Sequence, residues 1–299
     1  MIAFGLSTSF IMLFAAAFVW GAASDAFIHG CEVALVDLAG DDLPRVIGRV
    51  NAWSAVGDLL APATLAMAAI VGFGWRGVFL TGGGLMLAYS AWLASQRFPP
   101  PHARTADAEP GLDLLAVITD RRVLLMAVIM GLFALLDEPL LAFLIAYLDQ
   151  VAGYGPGLAV ILSAGALVGG LLGHSLAGRL VPAAAPGRAL VPAALAAALS
   201  LPVVAFGPQA GLIVGGGLVF GFSGAVFYTA LQSLVLTLRP GQAGSTGAVV
   251  SAIGLAGAGF PALVGLAADA WGLAAGLGLY AAIPAAMLAL TMLLGRGRS

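Results

Sequence analysis

The stretch GRVNAWSAVGDLLAPATL at residues 48–65 returns 199 residues later as GAVVSAIGLAGAGFPALV at residues 247–264. Gly48, Val50, the Ala61-Pro62-Ala63 turn of sequence and Leu65 correspond to Gly247, Val249, Phe260-Pro261-Ala262 and Val264. Trp75, just past the first copy, has its counterpart in Trp271 at an offset of 196 residues. Similarity at so long a period marks a duplicated plan, and the elements lying between the copies say which plan it is.

Those elements are apolar spans. The 299-residue chain is 61% hydrophobic and only 9% charged, with a mean hydropathy of +1.06, whereas soluble domains are about 25% charged. A helix needs about 20 apolar residues to cross the hydrocarbon core. The sequence predicts such spans at 2–18, 20–38, 50–73, 78–95, 123–148, 156–181, 190–206, 211–236, 247–268 and 272–294. The expected fold is therefore all-α, a polytopic membrane protein with about ten transmembrane helices in a 4+6 arrangement. Residues 1–95 form a first half of four spans and residues 123–299 a second half of six. Residues 96–122, which contain FPPPHARTADAEP, form a polar linker between them. The first 20 residues have no positive amino-terminal region and no small-residue cleavage site, so they read as a span and not a signal peptide.

With this count the third and fourth spans repeat as the ninth and tenth. An offset of six spans keeps the copies in the same orientation and leaves the fifth and sixth spans without a first-half counterpart. About 65–75 residues, two helices, are thus expected to be missing ahead of Met1. Two inverted five-span repeats would instead put the match near half the chain length and reverse its direction.

Arginine distribution sets the expected orientation, because cytoplasmic loops retain positive charge. Arg45, Arg49, Arg97, Arg104, Arg121, Arg122, Arg179, Arg188, Arg239, Arg296 and Arg298 fall on one face, and only Arg76 on the other. The prediction is a multi-pass protein of the cytoplasmic (inner) membrane with both termini cytoplasmic. Composition also excludes functions. The single cysteine, Cys31, permits no intrachain disulfide or cysteine-based metal site. A net charge of −2 with scattered arginines offers no surface for nucleic acid. There is no HExxH, GxSxG or Walker-type phosphate loop and no lysine, so no enzyme, metal, cofactor or ATP is expected.

The segment DLAGDDLPRVIGRVNAWSAVGDLLAP at residues 37–62 and WRGVF at residues 75–79 carry a resemblance to the major facilitator superfamily. They look like that family's turn from the fourth to the fifth helix and its entrance to the sixth. The family's antiporter signature is a Gly, eight residues, a Gly, three residues, Gly-Pro, two residues and Gly-Gly. Here Gly48, Gly57, Ala61-Pro62 and Leu65-Ala66 stand in that register, with alanine before the proline and Leu-Ala at the final pair. The resemblance implies two parallel bundles joined by a cytoplasmic linker. It implies secondary active transport across the lipid bilayer of a small-molecule substrate coupled to protons, with antiport-type efflux of an organic or drug-like solute as the expected mode. Proton-coupled uptake of a small metabolite, or a truncated non-transporting membrane protein, are the alternatives.

Ionisable residues inside spans are costly, about 2.5–3.5 kcal/mol on insertion scales, so they mark cavities and pathways. Asp25, His29 and Glu32 recur at i, i+4 and i+7 and share one helical face. This stripe is read as a proton or cation relay, against simple helix–helix hydrogen bonding. Asp137 and Glu138 fall near the middle of the fifth span, where Pro139 should loosen the helix and free carbonyls. Asp58 lies inside the antiporter-like segment, as a coupling residue or a packing partner. In the eighth span Phe220, Phe227, Tyr228 and Gln232 are candidates for a substrate wall, although aromatic stripes usually pack. His174 reads as an ordinary polar contact, Arg76 as an interfacial anchor, and Gly165, Gly169 and Gly173 as a close helix contact. The resemblance places the second, fifth and eighth spans around a central cavity, and Asp25, Glu32, Asp137 and Glu138 fall on the first two of these.

Overall fold

The computed structural model describes residues 1–39, 42–96, 114–239, 242–254, 257 and 259–296. Every regular element among them is helical. The first half comprises α1 (Ile2–Gly5), α2 (Phe10–Ala39), α3 (Leu43–Ile70) and α4 (Trp75–Ala94). Within the linker lies the short α5 (Leu114–Ile118). The second half comprises α6 (Arg121–Leu135), α7 (Glu138–Gln150), α8 (Pro156–Leu180), α9 (Leu190–Phe206), α10 (Ala210–Thr237), α11 (Ala243–Gly254), α12 (Phe260–Trp271) and α13 (Leu273–Arg296). Seven spans are long and apolar enough to cross a membrane, the α6–α7 pair counting as one. α3 and the broken α11–α12 pair complete the bundle.

The amino-terminal reading needs correction. Where two spans were expected at 2–18 and 20–38, one 30-residue helix, α2, runs from Phe10 to Ala39. At 1.5 Å per residue it is about 45 Å long. Around Trp20-Gly21 there is no proline and no charge to stop a helix, and one glycine costs only about 1 kcal/mol. The break lies earlier, in Ser7-Thr8-Ser9, where the Ser9 hydroxyl accepts a hydrogen bond from the Met12 amide at 3.3 Å and so caps α2. Residues 1–7 fold back on the start of α4. Phe4 stacks on Phe79 with ring centroids 5.1 Å apart, and Arg76 donates to the Ser7 carbonyl at 3.0 Å while lying over the Trp75 ring. Arg76 therefore ties the first residues to α4 in addition to any anchoring. The chain accordingly begins at the α3–α4 turn end of the bundle and α13 finishes at the linker end.

The second half is built on backbone contact. A Cβ at Gly173 would stand 2.5 Å from the Phe222 carbonyl oxygen, and one at Gly165 2.9 Å from that of Val214. Gly169 meets the Leu218 carbonyl, and Gly221 that of Ala166, more closely still. The glycines spaced by four along α8 thus let α8 and α10 touch main chain to main chain, as expected of small residues in lipid. Asp120 caps α6, its carboxylate accepting from the Arg122 amide at 2.8 Å, and it also receives Arg239 at 3.3 Å from the end of α10. Gly272, at φ +89°, makes the tight turn from α12 to α13 that a side chain would strain.

The halves meet at the linker end. A Cβ on Gly48 of α3 would lie 2.8 Å from the His174 carbonyl oxygen of α8, and one on Gly178 would press on Arg45. Leu43 and Ile47 from the first half bury against Leu236 and Ala243 from the second, with Val36 and Ala39 of α2 packed on them.

Candidate central cavity

Both interrupted helices break near mid-span. α6 stops at Leu135 and α7 starts at Glu138, with Pro139 in its first turn. Proline has no amide to donate and clashes with the preceding turn, so the helix opens where Pro139 predicts. Asp137 occupies the opening, with φ −94° and ψ −123°. The second break precedes α12, whose first turn holds Pro261. Gly131 and Gly254 touch across the two, a Cβ on Gly131 falling 3.1 Å from the Gly254 Cα.

Between the halves lies a cavity of about 480 Å³, within the range of small-molecule sites. Its wall takes Glu32 from α2, Asn51, Ser54 and Asp58 from α3, Asp137 from the α6–α7 break, His174 from α8 and Gln232 from α10. The aromatic part consists of Phe133, Phe220, Phe227 and Tyr228. Phe133 stacks on Tyr228 at 5.2 Å and on Phe227 at 6.0 Å, and His174 meets Tyr228 edge to face. Asp58 and Asp137 are both open to the cavity and near enough to feel each other's charge. Tyr228 feels the charge of Glu32 and of Asp137. Leu236 is shared between the cavity wall and the linker-end cluster.

One polar chain crosses from half to half. The Gln232 amide donates to a Glu32 carboxylate oxygen at 2.6 Å and its carbonyl accepts from Asn51 at 3.1 Å. Gln232 is 9% exposed, and its loss takes a hydrogen-bond partner from both Glu32 and Asn51. We expect Gln232→Leu to destabilise the protein by about 1–3 kcal/mol, read as a lowered melting temperature in detergent; an unchanged melting curve would show the bridge to be energetically idle.

The sequence-predicted residues divide as follows. Glu32, Asp58, Asp137, Phe220, Phe227, Tyr228 and Gln232 come together on the cavity wall. Glu138 opens α7 beside Asp137 and is not among the lining residues. Asp25 and His29 lie on α2, and their side chains fall outside the described residues. His174, read from the sequence as an ordinary polar contact, makes one to Thr229 at 3.3 Å but also faces the cavity. Asn51, Ser54 and Phe133 were missed. Asn51 and Ser54 precede Asp58 at i−7 and i−4, and Phe133 precedes Asp137 at i−4, so helical spacing from the acids would have found all three.

The Major Facilitator Superfamily model matches residues 1–261. The chain belongs to the Major Facilitator Superfamily, whose fold is that of a membrane transporter. Among solved structures it is similar to a point variant of the E. coli fucose:proton symporter FucP, with a TM-score of 0.73 and 18% identity, over 97% of this chain and 78% of that one. No curated protein sequence matches it significantly.

Proposed function

We propose that the chain is a proton-coupled secondary transporter that exports a small organic solute through the central cavity, exchanging it for protons entering the cytoplasm. The observation that carries the reading is the placement of Glu32, Asp58 and Asp137 around one cavity at the junction of the halves. A carboxylate facing a cavity at membrane depth is a natural proton carrier, because its charge changes the cost of each orientation of the halves. The arginine-bearing linker end is taken as cytoplasmic, and the membrane as the inner one. The seal at that end, formed by Leu43, Ile47, Leu236 and Ala243, then corresponds to a state facing outward.

Symport with uptake is the second reading, and the similarity in fold to a fucose:proton symporter favours it. Purified protein in vesicles separates the two whatever its orientation. Antiport accumulates solute when the vesicle interior is acid, symport when the exterior is acid. With ethidium and L-fucose as probes, we expect ethidium accumulation in acid-inside vesicles; L-fucose accumulation in acid-outside vesicles would establish the second reading instead.

A further inference from the structure

We propose that the cavity selects a lipophilic organic cation, held by its carboxylates and by the Phe133–Tyr228 aromatic stack. This deepens the transport reading above and concerns the same site. Three acids, Glu32, Asp58 and Asp137, face the cavity, and no arginine stands among its described lining residues. Gln232 donates to Glu32 and in turn accepts from Asn51, and neither of these two amides carries a charge. An anion entering this space would meet like charge on three of its helices, whereas a cation would relieve the mutual repulsion of Asp58 and Asp137.

The rest of the wall fits the same ligand. Phe133 lies near the end of α6, four residues before Asp137, and stacks on Tyr228, so an aromatic face lines the same cavity as the acids. Cations over such faces gain attraction beyond the charge pairing, most strongly where water is scarce. Met130 and Met287 line the same space, adding polarisable apolar surface that adapts to bulky groups. Most of the apolar residues on this wall are Phe, Met, Ala and Gly, a surface suited to bulky apolar substituents.

Cation binding and protonation compete for the same oxygens, so affinity should rise with pH. Among the described residues, the titratable groups facing the cavity are Glu32 on α2, Asp58 on α3, Asp137 at the α6–α7 break, His174 on α8 and Tyr228 on α10. Loss of protons from the acids and from His174 acts in one direction, making the cavity more negative.

The test uses two ions of one shape and opposite sign, tetraphenylphosphonium and tetraphenylborate, with the purified full chain at equilibrium and no gradient. We expect saturable binding of the phosphonium, strengthened by raising the pH, and at least about tenfold weaker binding of the borate. Asp137→Asn and Asp58→Asn should each weaken phosphonium binding about tenfold, with unchanged melting temperature and with borate binding unchanged or improved. Equal binding of the two ions, or phosphonium binding untouched by both substitutions, overturns the proposal. Because no flux is measured, a protein that binds the phosphonium yet fails to move ethidium in vesicles would refute the transport reading and leave this one standing.

Discussion

Asp137→Asn is expected to abolish the response of transport to a pH gradient while leaving the protein folded. Asp137 stands in the opening between α6 and α7, where the main chain already leaves the helix, and it is reachable from the cavity. An asparagine fits the same space and leaves the backbone break, which Pro139 maintains, unaltered. What it removes is the ability to be charged in one state and neutral in another. If ionisation biases the two cavity orientations by the cost of a carboxylate at membrane depth, about 2.5–3.5 kcal/mol, the bias amounts to about a hundredfold in population. The gradient-dependent component of the rate should fall by about that factor, while solute exchange without a gradient persists. A variant that still concentrates solute against its gradient would remove Asp137 from the coupling machinery.

Gly221→Leu should have the largest effect on the fold. The Gly221 Cα lies so near α8 that a Cβ would fall on the Ala166 carbonyl and 2.8 Å from the Gly170 nitrogen. Overpacked cores usually lose 1–3 kcal/mol by shifting side chains, but here the obstacle is main chain and the two helices must part along their length. The separation would also disturb Phe222 against Gly173, half a turn away on the same seam. More than about 3 kcal/mol should be lost, a large share of the 5–15 kcal/mol that holds a typical domain. The readout is the yield of monodisperse protein from detergent. Gly215→Leu, at a position with nothing within 4 Å of the added carbon, serves as the comparison and should purify normally. Equal yields of the two variants would contradict the packing described.

Much of this architecture is legible in the sequence because membrane helices obey few rules. Length and apolarity alone locate α4, α8, α9, α10 and α13, and the 199-residue repeat relates α3 to the α11–α12 pair. Pro139 announces the break in the fifth span, and the four-residue glycine spacing announces the α8–α10 seam. The amino terminus was harder. An apolar stretch of nearly 40 residues fits two short spans or one long helix, and hydropathy does not choose between them. The deciding signal is the small Ser9 cap, whose hydroxyl holds the Met12 amide.

The site divides along similar lines. Buried acids are visible because their cost in lipid is high and their number small, so Glu32, Asp58 and Asp137 stand out. Neutral polar residues such as Asn51 and Ser54 cost less and do not. That Gln232 joins Glu32 to Asn51 depends on α2, α3 and α10 converging at the linker end, which is a property of the assembled bundle. His174 shows the same limit: it makes the polar contact expected of it, to Thr229, and in the assembled bundle it also lines the cavity.

The most direct test of proton-driven alternation around the cavity requires no substrate. Spin labels at Arg45 and Arg179 report the linker end, and labels at Val71 and Leu158 the opposite end, in a background where the exposed Cys31 is replaced by serine. Distance distributions are recorded by pulsed electron resonance at neutral pH and after acidification. If protons bias the halves through the cavity carboxylates, acidification lengthens one pair of distances as it shortens the other, and Asp137→Asn holds the protein in one distribution at both pH values. Distances that ignore pH in the native sequence, or that shift equally in Asp137→Asn, would contradict the account.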